Sequence, residues 1–252
     1  MRLIGIDCAT DDAKVGVAIG TIASGVLTAD VVQVCSKERP ASLTVSRWLR
    51  SFDGPVLIAI DAPLGWPTAL GSTLGAHSAG QAITVDANML FRRATDRFIQ
   101  HELRKTPLDV GADRIARTAY AALGLLGAVS RELGTAIPLA WSPQDLAAVS
   151  AIEVYPAATL VAHGFRSAEY KKPTQTAERR ELLASLRAVA RFDACEPEME
   201  RNADALDAVI CLVAGADFLA GRSFLPSDRA VSEREGWIWA AKPRLALTGS
   251  GA

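Results

Sequence analysis

Apolar and polar positions along this chain sort into short solid runs and longer stretches with helical period. Met1–Asp7 (MRLIGID) and Val56–Asp61 (VLIAID) are apolar runs that each close on an aspartate. Such runs predict strands covered on both faces, the usual state in a parallel sheet. Pro63 and Gly65 break the chain just after Asp61, which places that carboxylate where open α/β sheets hold their ligands. Between the two runs, a polar Thr10-Asp11-Asp12 turn leads into Val15–Ile19, and a third strand follows over Val26–Val34. Pro40 opens a helix to about Phe52, stopped by Asp53-Gly54-Pro55. A helix between strands implies a crossover and hence a parallel pair. If the first strand lies beside Val56–Ile60, Asp7 and Asp61 fall at the same end of the sheet.

Beyond Leu64 the pattern changes. Leu70–Gln81 is rich in Gly, Ser and Ala without period and predicts a loop. A helix is expected over about Thr95–Arg104 and a clearer one over about Ala112–Leu133, where Ile115, Ala119, Ala122, Leu126 and Val129 share a face. Residues 64–141 read as a helical insertion over the sheet edge, within a single domain spanning 1–252. Ala151–Val154 is a short strand carrying Glu153. Helices follow over about Ala157–His163, Thr176–Arg191 and Glu200–Ala220, the last with Leu206, Val209, Ile210 and Val213 in its apolar stripe. Asp204 and Asp207 are three apart there, hence neighbours on the helix surface. Gly236–Trp239 predicts an edge strand, and Thr248–Ala252 reads as a disordered tail.

Composition narrows the classes. The 252 residues are 50% hydrophobic and 22% charged, enough to bury a core without disulfides or structural metal. The net charge of −1 excludes a global basic field, so nucleic acid would have to be held by local patches. Four cysteines without a CxxC pair and three histidines without HExxH argue against zinc and for free thiols in a reducing cytoplasm. No apolar run approaches the roughly 20 residues that span a bilayer, and with a strand at the start a signal peptide is not expected. The expectation is a cytoplasmic protein with no membrane partner.

The chemistry lies in five acids: Asp7, Asp61, Glu153, Asp204 and Asp207. Buried carboxylates are costly unless paired, hydrogen-bonded or bound to a cation, and several together raise one another's pKa unless a metal neutralises them. Oxygen ligands without Cys or His favour Mg²⁺ or Mn²⁺, ions that activate water and clamp phosphate. The bland alternatives stay open. An aspartate after a strand also forms turns or caps helices, and Glu153 also suits a structural pair with an arginine of the insertion.

The order strand–Asp, two strands, helix, strand–acid, later strand and a helix with Asp-x-x-Asp resembles the ribonuclease H-like fold. More narrowly, the chain resembles the prokaryotic family catalogued as domain of unknown function 429, predicted ribonuclease H-like nucleases. The matching text is Ile4–Asp7 (IGID), Ile60–Trp66 (IDAPLGW), Phe91–Arg97 (FRRATDR), Glu153–Leu160 (EVYPAATL), Tyr170–Lys172 (YKK), Ala205–Leu212 (ALDAVICL) and Gly236–Trp239 (GWIW). It departs from the family at Gly16-Val17, where Gly-Trp is common, and at Tyr155 and Ala157. The resemblance implies a mixed five-stranded sheet flanked by helices and a metal-dependent nuclease. Asp7 would bridge metals, Asp61 and either Asp204 or Asp207 would complete the set, and Glu153 is a further candidate. Arg93 and Arg97, with Lys171 and Lys172, are the candidate phosphate readers, and Trp66 a base-stacking one. Two rivals remain: an actin-like ATPase or small-molecule kinase, which lacks its glycine phosphate loops here, and a ribonuclease H-like binding domain without catalysis.

Overall fold

The computed structural model describes residues 1–111 and 113–243; the predicted tail, Thr248–Ala252, lies outside the described residues. A six-stranded mixed sheet forms the centre, in the order β5-β4-β1-β2-β3-β6. Its members are β1 (Arg2–Asp7), β2 (Gly16–Ala23), β3 (Val26–Val34), β4 (Val56–Asp61), β5 (Val149–Glu153) and β6 (Ala190–Arg191). β1, β2 and β3 form an antiparallel meander, while β4 joins the other side of β1 in parallel and β5 joins β4 in parallel. A mixed sheet flanked by helices is what the motifs implied, with one strand more than the five expected. The extra strand, β6, pairs in parallel with Leu27 and Thr28.

Ten α-helices and one 3₁₀ turn (Asp12–Lys14) complete the described chain: α1 (Ala41–Arg50), α2 (Thr68–Gly75), α3 (Ala87–Phe91), α4 (Ala94–Leu103), α5 (Asp113–Leu133), α6 (Pro156–Ala162), α7 (Thr176–Leu186), α8 (Glu196–Arg201), α9 (Ala203–Leu219) and α10 (Arg229–Glu235). None is long and apolar enough to cross a membrane among the described residues.

Strand alternation decides which helix covers which face. Ile4, Ile6, Val17, Ile19, Ile58 and Ile60 cluster with Val45 and Leu49 of α1 and with Ala122, Leu126 and Val129 of α5. Leu3, Ala18, Leu57 and Ala59 cluster with Leu206, Val209, Ile210 and Val213 of α9 on the opposite face. Within the stretch read as an insertion, α5 is a covering layer of the sheet face: the crossover from β4 to β5 has to bury that face, and α5 carries the apolar side that does so. α9 is buried nearly all round and lies close on the meander. A Cβ at Gly5 would collide with the Ala208 carbonyl, and one at Gly16 with the Asp204 carbonyl. Glycine at both positions is what lets the start of α9 settle on the ends of β1 and β2.

Other expectations also differ from what is observed. Part of the stretch read as a loop, 70–81, is helical: the Thr68 N–H at the start of α2 donates to Glu235 Oε1 at 2.8 Å, and the other oxygen of that carboxylate accepts from the Ala94 N–H at 2.7 Å at the start of α4. One acid thus ties two helix N-termini, where negative charge is favoured. The helix read as Glu200–Ala220 breaks at Asn202, which is extended and accepts from the Asp204 N–H at 2.8 Å, a standard cap. The predicted Gly236–Trp239 strand reduces to a bridge between Ile238 and Glu153.

Candidate active site

Asp7 and Asp61 are register partners on adjacent parallel strands, so their backbones stand one strand spacing apart, about 4.8 Å. By alternation both side chains project toward the α9 face, in line with Leu3-Gly5 and Leu57-Ala59. α9 meets them there: Cys211 Sγ lies 3.5 Å from the Ile6 carbonyl, and Asp207, one helical turn earlier, is buried above the strand ends. Both oxygens of Asp207 are engaged. Tyr170, itself wholly buried, donates its hydroxyl to Oδ1 at 2.8 Å, and the Lys171 ammonium stands 2.6 Å from Oδ2.

The electrostatics follow from this crowding. Withdrawal from water, then the charges of Asp207 and Asp61, raise the Asp7 pKa well above the usual carboxylate range, against a counteracting pull from Lys171. Asp61 is pushed up to about 7, chiefly by burial, with Lys171 lowering it and Asp207 and Glu153 raising it. Asp204 is raised by burial and by Asp207. Burial lowers the pKa of Lys171, but Asp207 and Asp61 more than reverse this and hold it charged.

A pH dependence of stability results. The folded Asp61 value of about 7 exceeds its ordinary 3.8, so the protonated acid favours the folded state. That contribution is complete below pH 3.8 and is lost as pH rises through 7. At ~1.4 kcal/mol per pKa unit, the group costs the fold on the order of 3–5 kcal/mol at pH 8. Asp61→Asn is therefore expected to exceed the wild type in stability to urea at pH 8 and to lose most of that advantage by pH 5. A difference that stays constant with pH would show that Asp61 ionises freely.

Glu153 stands beside this group but serves another. Arg93 grips it through both terminal nitrogens at 2.7 Å each and also holds Asp96 at 2.8 Å. All three side chains are buried, and the Leu64 N–H donates to Glu153 at 2.9 Å. Arg93 thus links α4, β5 and the turn after β4; where the sequence predicts a phosphate reader, the structure has a nearly buried guanidinium engaged by two carboxylates. Arg97 donates to the carbonyls of Asn88 and Arg92, which fixes the entry into α4. Lys172 is exposed and Trp66 half-buried. Of the basic residues singled out in the sequence, Lys171 is the one brought onto the acids.

A cavity of about 430 Å³ opens beside Asp61 and Lys171. Tyr155 and Lys105 line it, with Pro63, Pro107, Leu108 and Ile115 as apolar wall; Trp66 is not among its lining residues. Sequence reasoning missed Tyr155 and Lys105. Tyr155 had a signal: β5 pairs Glu153 with Ile60, so a side chain two residues on falls beyond the strand ends, next to Asp61. Lys105 had none.

The donor set is chemically suited to Mg²⁺ or Mn²⁺, being carboxylate oxygen throughout, and its crowded charges oppose one another in a way that a cation would relieve. As the side chains stand, no three His, Cys, Asp or Glu among the described residues converge closely enough to hold an ion, and Lys171 supplies the countercharge at Asp207.

Comparison with known proteins decides the family. The family described as "Protein of unknown function (DUF429)" matches residues 5–231. The chain belongs to this family. The span runs from within β1 into α10, with Asp7, Asp61, Glu153, Asp204 and Asp207 all inside it, and bears out the resemblance to the family. This DUF429 protein is also similar to the solved structure of T. thermophilus RuvC in complex with a Holliday junction substrate, at 14% sequence identity and a TM-score of 0.40, over 88% of this chain and 97% of that one. No curated protein matches it.

Proposed function

We propose that this protein is a divalent-metal-dependent nuclease that hydrolyses phosphodiester bonds in nucleic acid, with Asp7, Asp61 and Asp207 as its metal-holding acids and Asp204 at their margin. The observation that carries this reading is the register pair Asp7–Asp61 facing Asp207. Three carboxylates are held at one sheet end although their charges oppose one another, an arrangement that stability alone disfavours. An ion bound there supplies positive charge to a phosphate and a more acidic water. The chain's own residues set the stage. Tyr170 fixes the rotation of Asp207 by donating to Oδ1, so that Oδ2, which Lys171 holds, is the oxygen Asp207 would offer a cation. Lys171, whose side chain is 60% exposed, is free to swing from Oδ2 to a phosphate oxygen. Its strongly held proton keeps it a point charge throughout.

A calorimetric Mn²⁺ titration at pH 8, followed by incubation with labelled single-stranded, duplex and branched oligonucleotides, tests the reading. Saturable binding and cleavage that needs Mn²⁺ or Mg²⁺ are expected. Mn²⁺ binding with no cleavage of any of these substrates would leave the acids without this function.

A further inference from the structure

We propose, building on the nuclease reading, that the cavity beside the acids receives one unpaired nucleotide, with Tyr155 as the surface on which its base stacks and Lys105 and Lys171 as the partners of its phosphate groups. Three observations converge on this. The cavity volume, about 430 Å³, lies in the range of small-molecule sites; it admits a nucleotide and is too small for a stacked base pair. Its wall is mixed in the way a nucleotide requires. Pro63, Pro107, Leu108 and Ile115 give an apolar flank, Tyr155 an aromatic ring, and the lysines a cationic rim. Leu108 is 69% exposed at that wall, an apolar side chain left in water unless something covers it.

The third observation is the state of the remaining cations. Arg92 is paired with Asp109, Arg93 is buried on Glu153 and Asp96, and Arg97 is spent on carbonyls. Lys105 makes a single 3.4 Å contact to the Ser167 carbonyl and has no carboxylate partner among the described ion pairs. With a net charge of −1 and two lysines at the site, the protein has the footprint of a reader of one or two phosphates, not of a long duplex. Binding of a single strand should therefore weaken with salt at a logarithmic slope no steeper than about −1.5. Base stacking on an aromatic ring tolerates all bases, so sequence preference should be slight. Burial, and then the nearby Asp61, push the Tyr155 phenol up to about 12, so its ring stays neutral beside the phosphate.

The probes are thymidine 5′-monophosphate, adenosine 5′-monophosphate, ribose 5-phosphate and inorganic phosphate, titrated calorimetrically in MgCl₂ into wild type, Tyr155→Phe, Tyr155→Ala and Lys105→Gln. In the wild type both nucleotides should bind at least about tenfold more tightly than ribose 5-phosphate. Tyr155→Ala should abolish that advantage and Tyr155→Phe retain it. Lys105→Gln, at a partly exposed position that does not threaten folding, should weaken nucleotides and ribose 5-phosphate alike. Equal affinity for nucleotide and sugar phosphate in the wild type, no saturable nucleotide binding, or an unchanged preference in Tyr155→Ala would each overturn the proposal. The two readings fail separately. Nucleotide binding without Mn²⁺-dependent cleavage upholds the cavity and removes the nuclease; cleavage without preference for a base does the reverse.

Discussion

Asp7→Asn is expected to abolish metal-dependent cleavage and, in the same protein, to raise the thermal midpoint. The two effects share one cause. Asp7 lies at the end of β1 with Asp61 on the neighbouring strand and Asp207 on the helix above, and burial together with those charges makes its ionised form unfavourable. An amide keeps the shape and removes the charge. The fold then loses that repulsion, and the melting midpoint rises. The site loses one of the negative charges that would hold the ion, and removing a charge-stabilising group from a catalytic centre typically lowers rate by about 10²–10³-fold or more. Mn²⁺ should reverse the stability ranking, because it stabilises the wild type by binding and has less to bind in the variant. The checks are a melting curve with and without Mn²⁺ and a cleavage assay on the same preparations. A variant that is less stable than the wild type in metal-free buffer, or that cleaves at the wild-type rate, would show that Asp7 is a structural turn residue.

That trade between stability and function also explains how much of the molecule was legible in its sequence. Asp7 and Asp61 could be read because each ends an unbroken apolar run and because side-chain period along a strand is fixed at two: once β1 and β4 are parallel neighbours, both acids must face the same helix. Asp207 followed from helical spacing, but its partner did not. Lys171 lies in an irregular segment, and nothing in local pattern says that such a segment returns to α9. The same limit hid the role of Arg93. FRRATDR holds three arginines of equal local character; burial, a tertiary property, makes one a structural linchpin and leaves the others at the surface. Asn202 was an unread cap signal within a stretch whose apolar period suggested a continuous helix. β6 has two residues, too few for any period, so the helical pattern predicted to Arg191 runs over it. Composition misled once, at α2: no residue of that helix is buried, so there is no amphipathic pattern to find, and the distant Glu235 fixes its start.

Arg93→Met is expected to be the most destabilising single substitution in this region, by about 3–5 kcal/mol, a large share of the stability of an ordinary fold. The side chain is 1% exposed and its guanidinium serves Glu153 and Asp96, which are 3% and 0% exposed. It also donates to the Glu235 carbonyl at 3.2 Å, so β5, α4 and the end of α10 meet on one charge. Methionine fills much of the volume but leaves two buried carboxylates facing each other. Burial already raises the Glu153 pKa, and Arg93 holds it down; without that cation the acid would take up a proton. The loss should accordingly be smaller at pH 5 than at pH 8, since the folded-state pKa then lies above the unfolded one and stability falls as pH rises. Glu153→Gln in the Arg93→Met background should restore part of the loss, whereas alone it should be destabilising, because Arg93 would be left with less than its complement of charge. A double-mutant cycle by urea denaturation measures this coupling, expected to exceed about 2 kcal/mol. Independence of the two positions would free Glu153 from its structural role and return it to the acids as a candidate ligand. Strong coupling would fix it as part of the frame that holds the turn after β4, and with it Asp61, at the mouth of the cavity.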